Sequence, residues 1–493
     1  MEQGKSTPTP ADTPAAAVDT NDEMIDADIC VIGGDPGGLA VATAAAAFGR
    51  KVVLIEQKQL GGEPLYYGPL ATRALAAAGN RAQNMRTATP LGVSAREPEI
   101  DLRAVNEHVR SAVSGLAPNF APERFAGLGI RVLHGTGRFI NKRTVIAGES
   151  RIRARRFVVA TGGVPRTPAI KGLSSIPYLT VETVFSSTEK LHDLIVIGSG
   201  ADAIELAQTF GRLGSRVMVL AEGKALDEQD PELTKFLIEQ LGQEGIGVYE
   251  NTVIDSVDGG LGRVRVNVTV GAEKHVVEGS HILVAAGFKP ATADLGLEAA
   301  GIRHDERGIK VNGGLKTTNR RVFAVGRVAA APGPTAADYQ SSIVIQRALL
   351  HVRASIDPHL IARVVYTEPG LAWVGQSEAD AGSAAKKIDV LRWPFQENDR
   401  AVAEGAAVGH VKVITSKEGR ILGAGIVGAG AGELISMWAL ALSQGLNIKA
   451  MTQWVPAYPT FSQINKQVAT SYYAGKAGNP TLRKVIDFLA KFG

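Results

Sequence analysis

Two glycine-rich turns recur in the chain, and their residue types are suited to holding a phosphate. Gly33 and Gly38 follow one apolar run, and Gly198, Gly200 and Ala203 follow another. The two turns lie 165 residues apart (198 − 33). The first glycine of such a turn allows a tight bend, and the N-terminus of the next helix directs N–H groups at a phosphate. The repeat therefore predicts two dinucleotide-binding units.

The first turn has a candidate ribose contact and one departure from the usual pattern. Glu56 ends the second apolar run, about 20 residues after the turn, where an acid binds a ribose hydroxyl. Asp35 holds the position of the middle glycine, and its carboxylate would lie near phosphate charge unless it points outward. We expect dinucleotide binding by Gly33, Gly34, Gly38 and Glu56.

The second turn is regular, but the acid position that follows it is not. Ala221 stands where Glu56 stands in the first unit. The adjacent Glu222 could replace it only if the strand end is shifted, because neighbouring strand residues face opposite ways. We expect Gly198, Gly200 and Ala203 to bind a nicotinamide cofactor, with NAD and NADP both left open.

The surrounding sequence supplies the elements that must position these turns. Each turn lies between an apolar strand and an Ala-rich helix, which ends at a glycine and leads to a second Val-rich strand. From about residue 363 this pattern gives way to β-rich segments and then helices. The sequence predicts an α/β protein with two Rossmann-like domains and a C-terminal α+β domain.

The bulk composition excludes several classes of protein. A formal charge of +4 over 493 residues is too small to imply a nucleic-acid partner. Cys30 is the single cysteine, which excludes an internal disulfide and favours a reducing compartment. Residues 1–25 are rich in Pro, Ala, Thr and Asp and predict a disordered tail. We predict a cytoplasmic protein with no membrane span, and no metal site because the histidines are scattered singly.

Four further motifs give the chain a family resemblance. They are ATG at 160–162, VFAVG at 322–326, YTEPGLAWVG at 366–375 and AYPTFSQ at 457–463. With the two turns, they resemble the pyridine nucleotide-disulfide oxidoreductases, and dihydrolipoamide dehydrogenase and mercuric reductase are nearest in pattern. The resemblance implies FAD at the first unit, NAD or NADP at the second, and a homodimer formed through the C-terminal domain.

The resemblance also implies a discontinuous order of domains. The first unit and the VFAVG motif would belong to one FAD-binding domain, to which Thr161, Gly162, Gly326 and Arg327 would add contacts. The implied bounds are 26–186 and 296–362 for the FAD-binding domain, 187–295 for the NAD(P)-binding domain and 363–493 for the interface domain.

One loop departs from the family where its chemistry should be. Residues 60–76 read LGGEPLYYGPLATRALA, against a family pattern of LGGTCxxxGCxPSKxLL. The two redox cysteines beside the flavin become Pro64 and Pro69, and proline has no nucleophile. Thiol-disulfide exchange needs a thiolate, and we expect Cys30 to be buried in the first strand. We predict that the chain is not an active dihydrolipoamide dehydrogenase.

Two further positions of the family pattern are changed. Tyr458 and Gln463 replace the histidine and glutamate of the family's acid-base pair, and tyrosine is a poor base at neutral pH. Arg327 replaces the aspartate that lies against the ribityl chain of the flavin. It could reach the pyrophosphate or occupy flavin space, and the sequence leaves both open.

A third pair of positions is changed conservatively. The family's Lys-Glu ion pair near the flavin ring becomes Arg73 and Glu205. We therefore take Arg73, Glu205 and Tyr458 as the candidate catalytic residues.

These observations leave two functional hypotheses. In the first, the chain is an FAD-dependent NAD(P)H oxidoreductase whose electrons go to a small-molecule acceptor, such as a quinone, because the disulfide is absent. In the second, it is a non-catalytic relative that acts as a binding or partner subunit. The acceptor and the pathway are left open.

Overall fold

The computed structural model of the protein describes residues 24–260, 262–330, 333–384, 387–477 and 480–492. The predicted disordered tail lies outside the described residues, except for its last two, which begin the first strand. The elements of the first stretch are β1 (Met24–Ile32), α1 (Pro36–Ala47), β2 (Val52–Glu56), α2 (Gly62–Tyr66), α3 (Pro69–Arg86), α4 (Leu102–Leu116), α5 (Pro122–Gly127), β3 (Ile130–His134), β4 (Arg138–Asn141), β5 (Thr144–Ala147), β6 (Ser150–Val159), β7 (Gly163–Pro165) and β8 (Leu179–Thr180).

The second stretch begins with the second glycine-rich unit. Its elements are β9 (Asp193–Ile197), α6 (Ala201–Arg212), β10 (Arg216–Leu220), α7 (Pro231–Gln243), β11 (Gly247–Tyr249), β12 (Thr252–Gly260), β13 (Arg263–Val270), β14 (Glu273–Gly279), β15 (His281–Val284), β16 (Phe288–Pro290), β17 (His304–Asp305), β18 (Gly308–Ile309), β19 (Val322–Ala324) and α8 (Gly333–Ala348).

The last stretch forms the C-terminal domain. Its elements are β20 (Arg363–Val365), β21 (Gly370–Gly375), α9 (Glu378–Ala384), β22 (Ile388–Pro394), α10 (Asp399–Ala403), β23 (Gly409–Ser416), β24 (Ile421–Gly428), α11 (Ala431–Ser443), α12 (Ile448–Gln453), α13 (Gln463–Ala477) and α14 (Pro480–Leu489). Short 3-10 turns occur at Thr89–Leu91, Ala117–Phe120, Leu173–Ser175, Val184–Ser186, Gly326–Ala329, Pro358–Leu360 and Phe395–Glu397.

The first sheet has seven strands and contains the first glycine-rich turn. Strand β1 lies between β2 and β6 and is parallel to both, so its apolar residues are buried on two faces. Ile29 and Val31 pack on one side, whereas Cys30 and Ile32 pack on the other. Strand β19, which comes far later in the chain, pairs with β6. The ends of β1, β2, β6 and β19 therefore meet at one edge, where a ligand binds in such sheets.

The second glycine-rich turn belongs to a separate sheet. Its strand order is β11-β10-β9-β15-β8, and a three-stranded antiparallel sheet, β12-β13-β14, covers one face. Strand β8 joins this sheet although it precedes the predicted boundary at residue 187. The two units therefore occupy two sheets, as expected for two Rossmann-like domains.

The third sheet forms the core of the C-terminal domain. It is antiparallel in the order β20-β21-β24-β23-β22, and helix α11 packs on β21 and β24. Trp438 of α11 is fully buried, and its indole N–H donates to Asn465 Oδ1 at 2.9 Å. The predicted α+β character of this domain is confirmed. Among the described residues, no helix has the length and apolar character needed to cross a bilayer.

Candidate cofactor site

The first glycine-rich turn is shaped by close contact between β1 and β6. Gly33 has a φ of +102°, and a β-carbon on it would collide with the carbonyl oxygen of Ala160. A β-carbon on Gly38 would lie 2.5 Å from the carbonyl oxygen of Gly33. The turn keeps both glycines for packing reasons, and these same contacts bring the N-terminus of α1 to the sheet edge.

Glu56 lies beside this turn, at the end of β2. Its Oε2 accepts a hydrogen bond from the Gly34 N–H at 2.6 Å, and its Oε1 accepts one from the Lys58 N–H at 2.7 Å. The structure therefore brings Glu56 to the turn in the place expected for a ribose contact.

Asp35 fills the space that two other glycines leave open. It precedes α1, but its side chain does not cap that helix. Its two carboxylate oxygens lie where β-carbons of Gly62 and Gly162 would be. Gly162 has a φ of +67°, so a larger residue there would be both strained and blocked. The carboxylate thus bridges the gap between the loop after β2 and the loop after β6.

The setting of Asp35 is unfavourable for a charge. Burial raises the pKa of this carboxyl to about 7, and the neighbouring Glu63 and Glu56 add to the rise, against the opposing charge of Arg327. A phosphate placed beside Asp35 would meet a group that is only partly ionised at neutral pH.

Arg327 is held in a specific position by a carboxylate and an aromatic ring. Its Nε lies 2.8 Å from Glu63 Oε2, and its Nη2 lies 3.3 Å from Glu63 Oε1. Its guanidinium stacks over Phe288, 4.1 Å from the ring centre. The Glu63 side chain is 10% exposed and that of Arg327 is 24% exposed, so the ion pair is largely screened from water.

Sequence reasoning missed Glu63. The residue lies in α2 and Arg327 lies in the 3-10 turn after β19, 264 positions away. The signal that could have found it was the charge reversal at Arg327, because a buried cation needs a nearby acid.

The second turn opens onto a cavity. A β-carbon on Gly198 would collide with the carbonyl oxygen of Ala285, and Ala203 is fully buried behind the turn. Gly200 precedes α6, and a β-carbon there would meet no described atom within 4 Å. The adjoining cavity has a volume of about 480 Å³ and is lined by Gly200, Asp202, Glu205, Glu222, Arg327 and Tyr366, among others.

The sequence left open whether Glu222 could replace Ala221 as the acid of the second unit. Strand β10 ends at Leu220, so the buried Ala221 and Glu222 both follow the strand. Glu222 is exposed and lines the cavity. A ribose contact by Glu222 stays a prediction.

The predicted ion pair between Arg73 and Glu205 is not formed. Both residues are described, but no direct bond joins them, and both instead bind Tyr366. Arg73 Nη2 donates to the Tyr366 carbonyl oxygen at 2.7 Å, and its guanidinium lies 4.8 Å from the centre of that ring. Glu205 Oε1 accepts the Tyr366 N–H at 2.9 Å. The guanidinium of Arg73 therefore binds the Tyr366 carbonyl oxygen and not the Glu205 carboxylate.

Glu205 is a buried acid on the cavity wall. Burial raises its pKa to about 7 and Asp202 adds to the rise, while the hydrogen bond from the Tyr366 N–H and the nearby charge of Arg73 oppose it. The group can therefore hold a proton at neutral pH.

The positions of the redox cysteines hold prolines in the structure as well. Pro64 lies within α2, and Pro69 begins α3 and lines the cavity. Cys30 is fully buried in β1, and burial raises the pKa of its thiol. A thiol in that state forms little thiolate, which agrees with the predicted inert role.

Tyr458 lies on the surface of the C-terminal domain. It is 72% exposed, and its hydroxyl donates to Asp399 Oδ2 at 2.8 Å. This hydrogen bond raises the pKa of Tyr458 further, so still less of the phenolate that could act as a base is present at neutral pH. Gln463 begins α13 and accepts the Thr460 N–H at 3.2 Å. The catalytic role predicted for Tyr458 stays a prediction.

The remaining predicted contacts lie at the edge of the first sheet where β1, β2, β6 and β19 end. We call this edge the first crevice. Thr161 Oγ1 donates to the Ala291 carbonyl oxygen at 2.8 Å, and the Gly326 N–H donates to Gln340 Oε1 at 2.7 Å. These bonds fix the loops after β6 and β19. Among the described residues, no group of three or more His, Cys, Asp or Glu side chains could hold a metal ion.

FAD fits the two ends of the first crevice better than its middle. The Gly33 turn and Glu56 suit the adenosine end, and Glu63 and Arg327 also line the cavity beside the second turn. The family arrangement would place the pyrophosphate and the ribityl chain between these ends, where Asp35 and the Glu63–Arg327 pair lie. FAD can occupy the middle of the crevice only when these side chains move.

Comparisons with known proteins agree with the fold. Residues 27–350 match the family "Pyridine nucleotide-disulphide oxidoreductase", and residues 361–469 match its dimerisation domain. The dihydrolipoyl dehydrogenase of Bacillus subtilis (strain 168) is 30% identical over 459 residues, covering 91% of this chain and 97% of the relative. The mercuric reductase of Streptomyces lividans is 28% identical, covering 90% and 96%.

Solved structures show the same architecture. LpdA from Mycobacterium tuberculosis superposes with a TM-score of 0.82 at 24% identity, covering 91% of this chain and 99% of that one. The HOCl-induced flavoprotein disulfide reductase RclA from Escherichia coli has a TM-score of 0.80 at 22% identity, with 90% and 99% covered. At these identities the likeness concerns the fold alone.

The comparisons bear out several predictions. FAD and NAD(P)H are the cofactors of these homologues, in agreement with the predicted FAD and NAD or NADP. The dimerisation domain supports the predicted homodimer. Since the family models together span most of the described residues, the chain belongs to the pyridine nucleotide-disulphide oxidoreductases.

Proposed function

We propose that this chain is a thiol-independent NAD(P)H oxidoreductase that passes electrons to a small non-disulfide acceptor, such as a quinone. The observation that carries the proposal is the contrast at the cavity wall. The second glycine turn opens onto a cavity. The loop at residues 60–76, which carries the redox cysteines in the family, places Pro69 on the wall of this cavity in place of a thiol. A nicotinamide can bind there, but a disulfide substrate would find no partner for exchange.

The residues around the second turn would bind the nicotinamide cofactor. The free N–H groups at the start of α6, next to Gly200, face the position of a pyrophosphate. Glu222 lines the cavity and would bind a ribose hydroxyl, which favours NADH over NADPH because a carboxylate repels a 2′-phosphate.

The proton needed by a quinone would come from Glu205. Its Oε1 accepts the Tyr366 N–H, so Oε2 is the oxygen at which the proton would be held. Arg73 keeps the backbone of Tyr366 in place by binding its carbonyl oxygen. FAD, when bound, supplies the hydride acceptance that no side chain of this chain can provide.

The test is an anaerobic assay with saturating added FAD. We expect NADH oxidation with a soluble quinone and none with lipoamide. Gly200→Glu should abolish the activity, because it puts a negative charge at the N-terminus of α6 without a steric collision. Gly115→Glu, an equally open position in α4, is the matched control and should keep the activity. Lipoamide reduction by the unmodified protein would contradict the proposal.

A second candidate is a non-catalytic binding or partner subunit. The observation that favours it is the cluster of Asp35, Glu63 and Arg327 in the flavin crevice. If saturating FAD and both nicotinamide cofactors give no electron transfer to any quinone, the second candidate replaces the first.

A further inference from the structure

We propose that Asp35, Glu63 and Arg327 form a crevice plug, so that this chain binds FAD loosely and exchanges it instead of retaining it. The inference uses the family's placement of FAD but goes beyond the proposed function, because it concerns flavin binding in the absence of any nicotinamide. The arrangement of these side chains, their charges and the intact adenosine end support it.

The first step is the spatial arrangement of the crevice plug. Arg327 is fixed by two contacts with Glu63 and by the ring of Phe288, and its Cδ approaches to 3.2 Å from a β-carbon position on Gly163. Asp35 closes the gap toward Gly162. FAD can enter only after these side chains have moved, and that movement opposes binding.

The second step is charge. The pyrophosphate of FAD is anionic, and it would lie at the N-terminus of α1, beside the partly ionised Asp35 and close to the Glu63 carboxylate of α2. Arg327 can neutralise one of these charges but is already paired with Glu63. Repulsion between like charges at this depth is little reduced by solvent, so it weakens flavin binding.

The third step is that the adenosine end is left intact. The contacts that Gly33, Gly38 and Glu56 make at the turn use no side chain of the crevice plug. Recognition of the nucleotide is therefore retained, which makes the flavin exchangeable and not excluded.

The experiment measures FAD binding by flavin fluorescence and by retention of yellow colour through gel filtration. We expect the full-length wild-type protein to take up added FAD and to lose it on the column. The double variant Glu63→Gln/Arg327→Ser should retain FAD and bind it about tenfold tighter or more. The matched control is Arg153→Ser, because Arg153 forms a similar two-bond pair with Asp26 at the opposite end of the same sheet, at 2.8 and 3.0 Å. The control should leave FAD binding unchanged.

A second variant guards against misfolding of the first. Asp35→Ser removes a carboxylate and places a good N-cap residue before α1, so it should fold and also bind FAD more tightly. The proposal is overturned if the wild-type protein keeps equimolar FAD through gel filtration. It is equally overturned if a folded double variant binds FAD more weakly than wild type, which would make Arg327 a pyrophosphate ligand. Neither outcome depends on NAD(P)H oxidation, so failure of the proposed function would be seen separately.

Discussion

The two dinucleotide units of this chain share one backbone plan but differ in what fills the space beside each turn. In both, the first glycine is required because a neighbouring carbonyl oxygen occupies the place of its β-carbon. Beside the first turn lie Asp35, Glu63 and Arg327, whereas beside Gly200 there is a cavity of about 480 Å³. A retained glycine turn is thus evidence of close strand packing. Whether a ligand can bind beside it depends on the side chains around it.

The largest effect that would test this comparison concerns the glycines themselves. Gly33→Ala should cost about 4 kcal/mol of unfolding free energy, because it combines a positive φ with a backbone collision. Gly200→Ala should cost about 0.5 kcal/mol or less, since its φ of −85° suits any residue. Urea unfolding followed by circular dichroism measures both. Equal losses would mean that the two glycines have the same structural role.

The next effect concerns the buried ion pair of the first unit. Arg327→Met should cost about 3 kcal/mol, because it leaves the Glu63 carboxylate buried without its partner. Arg363→Met removes a similar pair with the exposed Glu228 on the wall of the open cavity and should cost about 0.5 kcal/mol or less. Thermal unfolding of the two variants at neutral pH gives the comparison. A small loss for Arg327→Met would show that the pair is not important for folding.

A smaller effect should appear in the pH dependence of stability. The pKa of Asp35 is about 7 in the folded protein and 3.8 when unperturbed. Between these values the folded state binds a proton that the unfolded state lacks, so stability falls as pH rises through this window. Asp35→Asn should therefore be about 2 kcal/mol more stable than wild type at about pH 8, and about equal near pH 4. Glu205 contributes a slope of the same sign in both proteins, so the comparison isolates Asp35.

The smallest effect concerns cofactor choice in the second unit. Glu222→Arg should shift the ratio of NADPH to NADH affinity by about tenfold, because it replaces a repulsive charge with an attractive one. Glu239→Arg, on the exposed face of α7 where Glu239 meets Lys235, should leave the ratio unchanged. Fluorescence titration with each cofactor provides the values. An unchanged ratio for Glu222→Arg would place the ribose contact elsewhere.

Features that depend on local sequence could be predicted, and features that join distant elements could not. The glycines of both turns, the burial of Cys30 and the prolines at 64 and 69 follow from patterns within single strand-turn-helix units. The Glu63–Arg327 pair escaped prediction because its partners meet only when β19 joins the first sheet.

The predicted ion pair at the flavin ring was wrong for a related reason. The residue types at 73 and 205 allowed a direct bond, but Tyr366 from the C-terminal domain lies between the two side chains. A contact from the C-terminal domain cannot be predicted from the spacing of residues within the two dinucleotide-binding domains. Whether Glu222 replaces Ala221 as the acid of the second unit was also uncertain, because it depends on where β10 ends, at Leu220.

Glu63 and Arg327 belong to the wall of the open cavity as well as to the first crevice. A ligand in the cavity that interacts with Arg327 changes the free energy needed to displace that side chain from the crevice. The two binding equilibria are then thermodynamically linked. Whatever factor a nicotinamide cofactor imposes on flavin affinity, flavin imposes the same factor on the nicotinamide cofactor, because such coupling is reciprocal.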